Sequence, residues 1–348
     1  QAWDVSYYSE KLKHQRFDIS QEALRPWFPL EKVLAGLFEI ARRLFDVTFE
    51  QDDSVDRYHP DVRFYRVFEA GEEIAGFYFD LFARANKRGG AWMDECRVRR
   101  RTLKGALQLP VAYLTCNFNG PVGDKPALLT HNEVTTLFHE FGHGLHHMLT
   151  KVEDGPVSGI NGVAWDAVEL PSQFLENWCW EKEAIPLMSG HYESGEPLPL
   201  DMLEKMLAAK NFQSAMMIVR QLEFSIFDFR IHREYSPGID IHAVLEDVRK
   251  QVAVIRPPAF NRFECSFSHI FAGGYAAGYY SYKWAEVLSA DAFSRFEEEG
   301  IFNGETGRSF RENILEKGGE EEPMDLFKKF RGREPKVDAL LRHSGLAA

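Results

Sequence analysis

Cysteine is scarce in this sequence. Its four cysteines are spread along 348 residues, and no two of them form a CxxC pair. They are Cys96, Cys116, Cys179 and Cys265. Disulfide-stapled domains and thiolate zinc sites both need closely spaced cysteines, so the sequence favours neither. Sparse cysteine is typical of a reducing compartment, and we expect a cytoplasmic protein.

Long apolar runs and an excess of basic residues are lacking as well. No stretch approaches the roughly 20 consecutive apolar residues that cross a bilayer, so we expect no membrane partner. The formal net charge of -12 argues against a nucleic-acid partner, because binding to phosphates needs a concentrated basic surface. An acidic surface also favours a soluble monomer.

The first 120 residues contain the strand patterns. Apolar residues in 31–45 recur every three or four positions, which predicts an amphipathic helix. Residues 62–68 and 74–83 have strand-like composition and are separated by a short turn, which predicts a hairpin. Residues 111–118 are a further predicted strand. We therefore predict a mainly α protein with a small, mostly antiparallel β-sheet.

Helical periodicity dominates the rest of the chain. It is found in residues 201–234, 239–255, 275–299, 306–317 and 324–330. Residues 153–165 and 255–274 are rich in glycine or proline and are long enough to be functional loops.

The central motif is His139-Glu140-Phe141-Gly142-His143, an HExxH pattern. On a helix, a four-residue step places both imidazoles on one face, where they can hold one zinc ion. Glu140 then lies beside the open coordination position, where its carboxylate can take a proton from a water molecule. Manganese and cobalt are also compatible with such ligands.

The surrounding residues support a helix at this motif. Thr130 and Glu133 have the spacing of a capping box, which predicts a helix start just after Thr130. Apolar residues at helical spacing predict its buried stripe: Phe138, Phe141, Leu145 and Met148. His146 and His147 exceed what one zinc ion needs, and we interpret them as ordinary polar or supporting residues.

A third protein ligand has to come from elsewhere in the chain. The HExxHxxGxxH pattern does not apply, because position 149 is leucine. Residues 165–178 read as a second helix that starts at Asp166 as its N-cap. Asp166, Glu169 and Glu176 can share one face of it. We predict Glu169 as the ligand, and Asp166 and Glu176 either as acceptors that orient an imidazole N–H or as ordinary acids.

Three motifs together resemble the M3 (thimet oligopeptidase) family of zinc metallopeptidases. They are HEFGH at 139–143, ELPSQFLENW at 169–178 and HIFAGGYAAGYYSY at 269–282. The resemblance implies a zincin-like α+β catalytic domain with one Zn²⁺ on His139, His143 and Glu169, and Glu140 as general base. It also implies a cleft for short, unstructured peptides.

The resemblance further assigns four residues within the third motif. His269 and Tyr282 match the family's transition-state positions, and Tyr275 and Tyr279 match its substrate positions. Read from spacing alone, the three tyrosines step by four and three along one predicted helical face after Gly273-Gly274. Tyr280 faces away from the other three tyrosines.

The predicted strand at 113–118 is a candidate to pair with an extended peptide substrate.

The domain organisation follows from these assignments. We predict helices and the sheet in residues 1–130 and a helical, zinc-binding catalytic lobe in 131–348, joined as one continuous catalytic domain. The chain opens at Gln1 and enters a helical pattern at once, and family members have a further helical N-terminal region. We therefore expect the C-terminal half of a longer protein.

The expected function is zinc-dependent endopeptidase activity on short peptides. Two alternatives remain open from the sequence: a zinc-containing peptide-binding module without turnover, and a different metallohydrolase such as a carboxypeptidase or dipeptidase.

Overall fold

The computed structural model describes residues 1–347 and contains one five-stranded sheet. The strands are β1 (Val47–Gln51), β2 (Arg63–Glu69), β3 (Glu72–Phe82), β4 (Trp92–Arg97), β5 (Arg100–Arg101), β6 (Leu107–Gln108) and β7 (Val111–Phe118). The large sheet has the order β1-β2-β3-β7-β4, and β5 pairs with β6 separately. Only β3 and β7 are parallel, which confirms the prediction of a small, mostly antiparallel sheet.

The predicted hairpin is β2 and β3. Its two-residue turn consists of Ala70 and Gly71, which have φ of 49° and 83°. Such left-handed turns match the twist of the paired strands, which explains the tight connection.

Helices make up most of the remaining structure. They are α1 (Val5–Phe17), α2 (Gln21–Leu24), α3 (Leu30–Phe45), α4 (His131–Met148), α5 (Trp165–Val168), α6 (Leu170–Glu176), α7 (Ile185–Met188), α8 (Leu200–Ala208), α9 (Ser214–Arg233), α10 (Ile241–Val252), α11 (Ser268–Phe271), α12 (Ser281–Glu299), α13 (Gly304–Phe310), α14 (Pro323–Arg331) and α15 (Asp338–His343). A π-helical segment, Arg311–Leu315, follows α13 directly. None of the helices within residues 1–347 combines the length and apolar content needed to span a bilayer.

Three predicted helices are interrupted in the structure. The pattern at 201–234 divides into α8 and α9, because Gln213 adopts a left-handed φ of 58°. The pattern at 275–299 becomes helical only at Ser281. The pattern at 165–178 divides into α5 and α6 at Glu169, followed by a 3-10 turn at Asn177–Trp180. Hydrophobic periodicity continues across each break, so it could not reveal them.

The main hydrophobic core lies between the sheet and the helices α3, α4, α6 and α12 to α14. Phe141 of α4 packs against Phe77 of β3 and Phe38 of α3, with ring centroids 5.6 and 5.9 Å apart. These contacts fix α4 against one face of the sheet. A second, smaller core joins α9 and α10 to residues 267–279.

Candidate metal centre

The helix that carries the HExxH motif begins where the sequence predicts. Thr130 Oγ1 accepts a hydrogen bond from Glu133 N at 3.2 Å, and Glu133 Oε2 accepts one from Thr130 N at 2.7 Å. This capping box satisfies two backbone donors at the start of α4. The predicted stripe, Phe138, Phe141, Leu145 and Met148, is buried.

A glycine lets α4 and α6 approach closely. A Cβ atom at Gly142 would lie 2.5 Å from the carbonyl oxygen of Pro171 and 2.6 Å from Cα of Ser172. No side chain fits into that space without moving the backbone. The contact brings the start of α6, and with it Glu169, next to the two histidines of α4.

Glu169 faces both histidines of the motif. Its Oε2 lies 3.2 Å from His139 Nε2 and 3.1 Å from His143 Nε2. Within the described residues, these three side chains are the one group of histidine, cysteine and acidic residues that could hold a metal ion. Glu169 is 2% exposed and lies at the junction between α5 and α6.

The arrangement of these atoms fits zinc. Ligands bound at about 2.0–2.1 Å with tetrahedral angles lie about 3.3 Å apart, close to the separations found here. Although burial by itself raises the pKa of a carboxyl, His143 and His139 hold the pKa of Glu169 well below its usual range. A buried anion beside two imidazoles is a suitable environment for a cation.

Glu176 supports His139 from the side opposite Glu169. Its Oε1 lies 2.6 Å from His139 Nδ1, the distance of a strong hydrogen bond. With the proton on Nδ1, the lone pair of Nε2 is free to bind a metal ion. His143 differs, because its Nδ1 has no hydrogen-bond partner among the described residues.

Asp166 occupies a different position from Glu176. It lies in the first turn of α5, where Ala164 is the N-cap, so the prediction that Asp166 is the cap was wrong. It faces Tyr280, and burial together with the Asp166 carboxylate raises the pKa of that tyrosine. Of the two predicted supporting acids, Glu176 is the one that contacts a histidine of the motif.

Glu140, the residue after His139 on α4, is buried and is affected by the charges of both histidines. It is 5% exposed, and burial raises its pKa above the ordinary value, although His139 and His143 oppose the shift. A buried carboxylate with raised proton affinity suits a general base.

The predicted tyrosines meet beside the predicted metal ligands, but not on one helical face as predicted. Tyr275 and Tyr279 precede α12, and only Tyr282 lies on it. The rings of Tyr275 and Tyr282 stack with centroids 4.9 Å apart. The hydroxyl of Tyr275 donates to Glu169 Oε1 at 2.6 Å. Burial and the Glu169 carboxylate raise the pKa of both Tyr275 and Tyr282, which keeps them protonated as donors.

The other two predicted residues lie around this stack. Tyr279 is buried, and its hydroxyl donates to Gln221 Oε1 at 2.9 Å. His269 is exposed, with its ring centroid 5.7 Å from that of Tyr279 and 6.4 Å from that of Tyr282. The catalytic and binding roles of these four residues stay predictions.

The other histidines of α4 lie in the interior. His147 Nε2 contacts the carbonyl oxygen of Arg97 at 2.8 Å, which joins α4 to β4. Both ring nitrogens of His146 are buried without a partner among the described residues. Burial lowers the pKa of His146 to about 3, so it is neutral.

Sequence reasoning missed three residues that shape the site. Ser172 Oγ donates to Glu169 Oε2 at 3.1 Å, and Gln173 Nε2 donates to the carbonyl oxygen of Tyr282 at 3.1 Å. The ring of Trp165 packs on Tyr275 with centroids 4.5 Å apart. Ser172 and Gln173 could have been identified from the sequence, because residues three and four positions after Glu169 lie next to it on a helix.

A cavity of about 980 Å³ opens beside Glu176, between α6, α9 and α12. Gln173 lines it from α6, Asn177 from the 3-10 turn after α6, and Lys283 and Glu286 from α12. The cavity reaches Glu176, the residue that contacts His139, whereas the three predicted metal ligands do not line it.

The sequence matches a known family along nearly its whole length. The model described as "Peptidase family M3" matches residues 1–346. The chain is 63% identical over 349 residues to oligopeptidase A of Escherichia coli (strain K12), covering 99% of this chain and 51% of that protein. It is 37% identical over 355 residues to the dipeptidyl carboxypeptidase of the same organism, again covering 99% and 51%.

A plant protein shows similar coverage. The chain is 51% identical over 358 residues to the organellar oligopeptidase A (chloroplastic/mitochondrial) of Arabidopsis thaliana, covering 99% of this chain and 45% of that protein. The chain thus spans about half the length of the curated relatives it matches.

Two solved structures share the fold. The structure described as PZ peptidase A with inhibitor 2 has a TM-score of 0.53 at 16% identity, covering 77% of this chain and 42% of that one. The M32 carboxypeptidase from Deinococcus radiodurans R1 has a TM-score of 0.51 at 14% identity, covering 92% and 59%. The predicted zincin-like, mainly α fold with a small sheet is confirmed by these neighbours.

Proposed function

Because the chain belongs to peptidase family M3, we propose that it is the catalytic part of a zinc-dependent endopeptidase that cleaves short, unstructured peptides. One observation carries the proposal: Glu169 Oε2 lies within 3.2 Å of the Nε2 atoms of both His139 and His143. Two imidazoles and one carboxylate leave a fourth tetrahedral position free, as in catalytic rather than structural zinc sites.

The residues around that position have complementary tasks. A bound zinc ion would supply Lewis acidity toward a carbonyl oxygen and would acidify a water molecule. Glu140 takes the proton from the attacking water and delivers it to the leaving amine. Tyr282, and with it His269, donates to the oxygen that becomes negative, a contribution of about 3 to 4 kcal/mol per well-placed donor.

The substrate-binding part of the proposal changes one prediction. The strand at 113–118 is β7, which lies between β3 and β4 and has no free edge, so its predicted pairing with a peptide was wrong. β4 is the edge strand next to it. We propose that an extended peptide adds to β4 through backbone hydrogen bonds and reaches Tyr275 and Tyr279.

Other parts of the expected setting belong to this proposal as well. We propose one Zn²⁺ per chain, short peptides as substrates and a cytoplasmic location. The two predicted lobes, residues 1–130 and 131–348, then act as one catalytic domain.

The first experiment tests turnover. A quenched-fluorescence peptide of about ten residues is incubated with the zinc-loaded chain, with and without a chelator, and the products are sized. We expect internal cleavage that the chelator abolishes. In Glu140→Gln, zinc is retained and cleavage falls by a factor of about 100 or more.

The same experiment separates the alternatives. The chain covers only 51% of the length of oligopeptidase A of Escherichia coli. This partial coverage favours, as second candidate, a zinc-containing peptide-binding module without turnover. Peptide binding without any cleavage would support that candidate and refute ours. Removal of residues from one end of the peptide alone would instead indicate a carboxypeptidase or dipeptidase.

A further inference from the structure

The segment before α12 needs an external support. Residues 275–280, which we call the tyrosine turn, connect Gly274 to α12 and carry Tyr275 and Tyr279. Ala277 in this turn has a φ of 53°. The left-handed conformation costs an alanine about 1 to 2 kcal/mol, so contacts from elsewhere have to stabilise it.

Asp228 of α9 supplies that support. Its carboxylate is fully buried, with Oδ1 accepting from Ala277 N at 2.9 Å and Oδ2 accepting from Tyr279 N at 3.0 Å. His232 Nδ1 also lies 3.0 Å from Oδ1. A carboxylate that binds two alternate backbone amides fixes the conformation between them, through hydrogen bonds that are stronger than neutral ones.

Further contacts come from the same face of α9. Gln221, two helical turns before Asp228, accepts the hydroxyl of Tyr279 at 2.9 Å. The ring of Phe224, between them, lies 5.7 Å from that of Tyr279. The second hydrophobic core, which contains Phe227 and Tyr279, completes this contact. The backbone of the tyrosine turn is therefore held by α9, while the side chain of Tyr275 reaches Glu169.

The attachment has a consequence for the metal centre. Tyr275 lies two residues before Ala277, and its hydroxyl donates to Glu169 Oε1 at 2.6 Å. We infer that Asp228 is a positioning residue, which places Tyr275 on Glu169 and thereby orients the carboxylate toward His139 and His143. The inference rests on the proposed function for its zinc ion, but not on peptide cleavage.

The test compares Asp228→Asn with the wild type by two measurements that need no substrate. Hydrogen exchange of the metal-free chain reports on the amides of Ala277 and Tyr279. Competition with a chelator gives the zinc dissociation constant. An asparagine accepts one of the two amides and opposes the other with its own N–H groups, so we expect exchange at 277 and 279 to rise about tenfold or more. We expect zinc affinity to fall about tenfold.

A double-mutant cycle separates positioning from general destabilisation. In Tyr275→Phe, which has already lost the hydrogen bond to Glu169, adding Asp228→Asn should weaken zinc binding no further. Asp291→Asn is the matched control. Asp291 lies on α12, nine residues after Tyr282, is 1% exposed and, like Asp228, accepts a hydrogen bond from a backbone amide, that of Lys336 at 2.7 Å. It should lower the melting temperature without changing zinc affinity.

Several results would overturn the inference. They are unchanged exchange at 277 and 279, an additive loss of zinc affinity in the double variant, or an equal loss in Asp291→Asn. If Asp228→Asn does not fold, Gln221→Leu loosens the same turn through Tyr279 and should weaken zinc binding about threefold; unchanged affinity there also counts against it. A chain that binds zinc as described but cleaves no peptide would refute the proposed function alone.

Discussion

Glu176 Oε1 lies 2.6 Å from His139 Nδ1, a contact as short as that between the Tyr275 hydroxyl and Glu169 Oε1. We predict that Glu176→Ala weakens zinc binding about 10- to 100-fold, because the imidazole loses the acceptor that fixes its tautomer and orientation. Glu176→Gln should have a smaller effect, since an amide oxygen still accepts the N–H. The zinc dissociation constant, measured against a chelator, is the readout.

The matched control for Glu176 is Asp166, the other acid predicted to support a histidine. Since it faces Tyr280, Asp166→Ala should leave zinc affinity unchanged. An equal loss in both variants would mean that net negative charge near the site, and not the hydrogen bond to His139, determines the affinity.

Gly142 tests the contact between α4 and α6. Gly142→Ala should destabilise the chain by about 1 to 3 kcal/mol and weaken zinc binding, because its Cβ would lie 2.5 Å from the Pro171 carbonyl oxygen. Gly144→Ala is the control, since its Cβ would meet side-chain atoms and not backbone: Leu114 at 3.0 Å and Met148 at 3.5 Å. Chemical denaturation and zinc titration of both variants check this. Equal tolerance of the two alanines would contradict the close approach of the backbones.

Tyr282 is predicted to act on the transition state. Tyr282→Phe keeps the ring that stacks on Tyr275 but removes the hydroxyl, so kcat should fall far more than KM rises. Steady-state kinetics on a single peptide separate the two parameters. A change confined to KM would demote Tyr282 to ground-state binding.

His131 gives the chain a pH-dependent stability. Burial lowers its pKa from the ordinary 6.5 to about 4, although the Cys179 carbonyl opposes the shift. The unfolded chain therefore binds the proton first as the pH falls. The free energy of unfolding therefore keeps its full value above pH 6.5, as far as His131 determines it. As the pH falls from 6.5 to 4 it decreases progressively, by up to about 3 kcal/mol.

Denaturant titrations from pH 8 to pH 4 measure this contribution. His131→Gln, which cannot take up the proton, should show a shallower loss of unfolding free energy over that interval than the wild type. At pH 8, where His131 is neutral in both the folded and unfolded chain, the difference between the two proteins gives the baseline. Parallel pH profiles would rule out His131 as the cause.

The parts of the site that the sequence predicted depend on local patterns. The capping box at Thr130, the buried stripe of α4 and the pairing of two imidazoles at a four-residue step all follow from helix geometry. Family membership, predicted from three motifs, is confirmed by the match over residues 1–346.

The parts that the sequence did not predict depend on distant contacts. Asp228 binds amides 49 and 51 residues away in the chain, and this contact gives residues 275–280 a turn where periodicity indicates a helix. The parallel pairing of β7 with β3 likewise depends on the order of the strands in the sheet, which the sequence of either strand alone does not indicate. The choice of Glu176 over Asp166 was open because α5 and α6 are separate helices that meet at Glu169, so the spacing of one continuous helix does not relate the two acids.

The metal content of Glu169→Ala tests the account most directly. The wild-type chain, dialysed against zinc and then against buffer, should retain one zinc ion per chain, and Glu169→Ala should retain about a tenth of that or less. Glu181→Ala serves as the control and should match the wild type. If Glu169→Ala keeps a full zinc ion with unchanged affinity, the ligands are not His139, His143 and Glu169, and the proposed peptidase centre is contradicted.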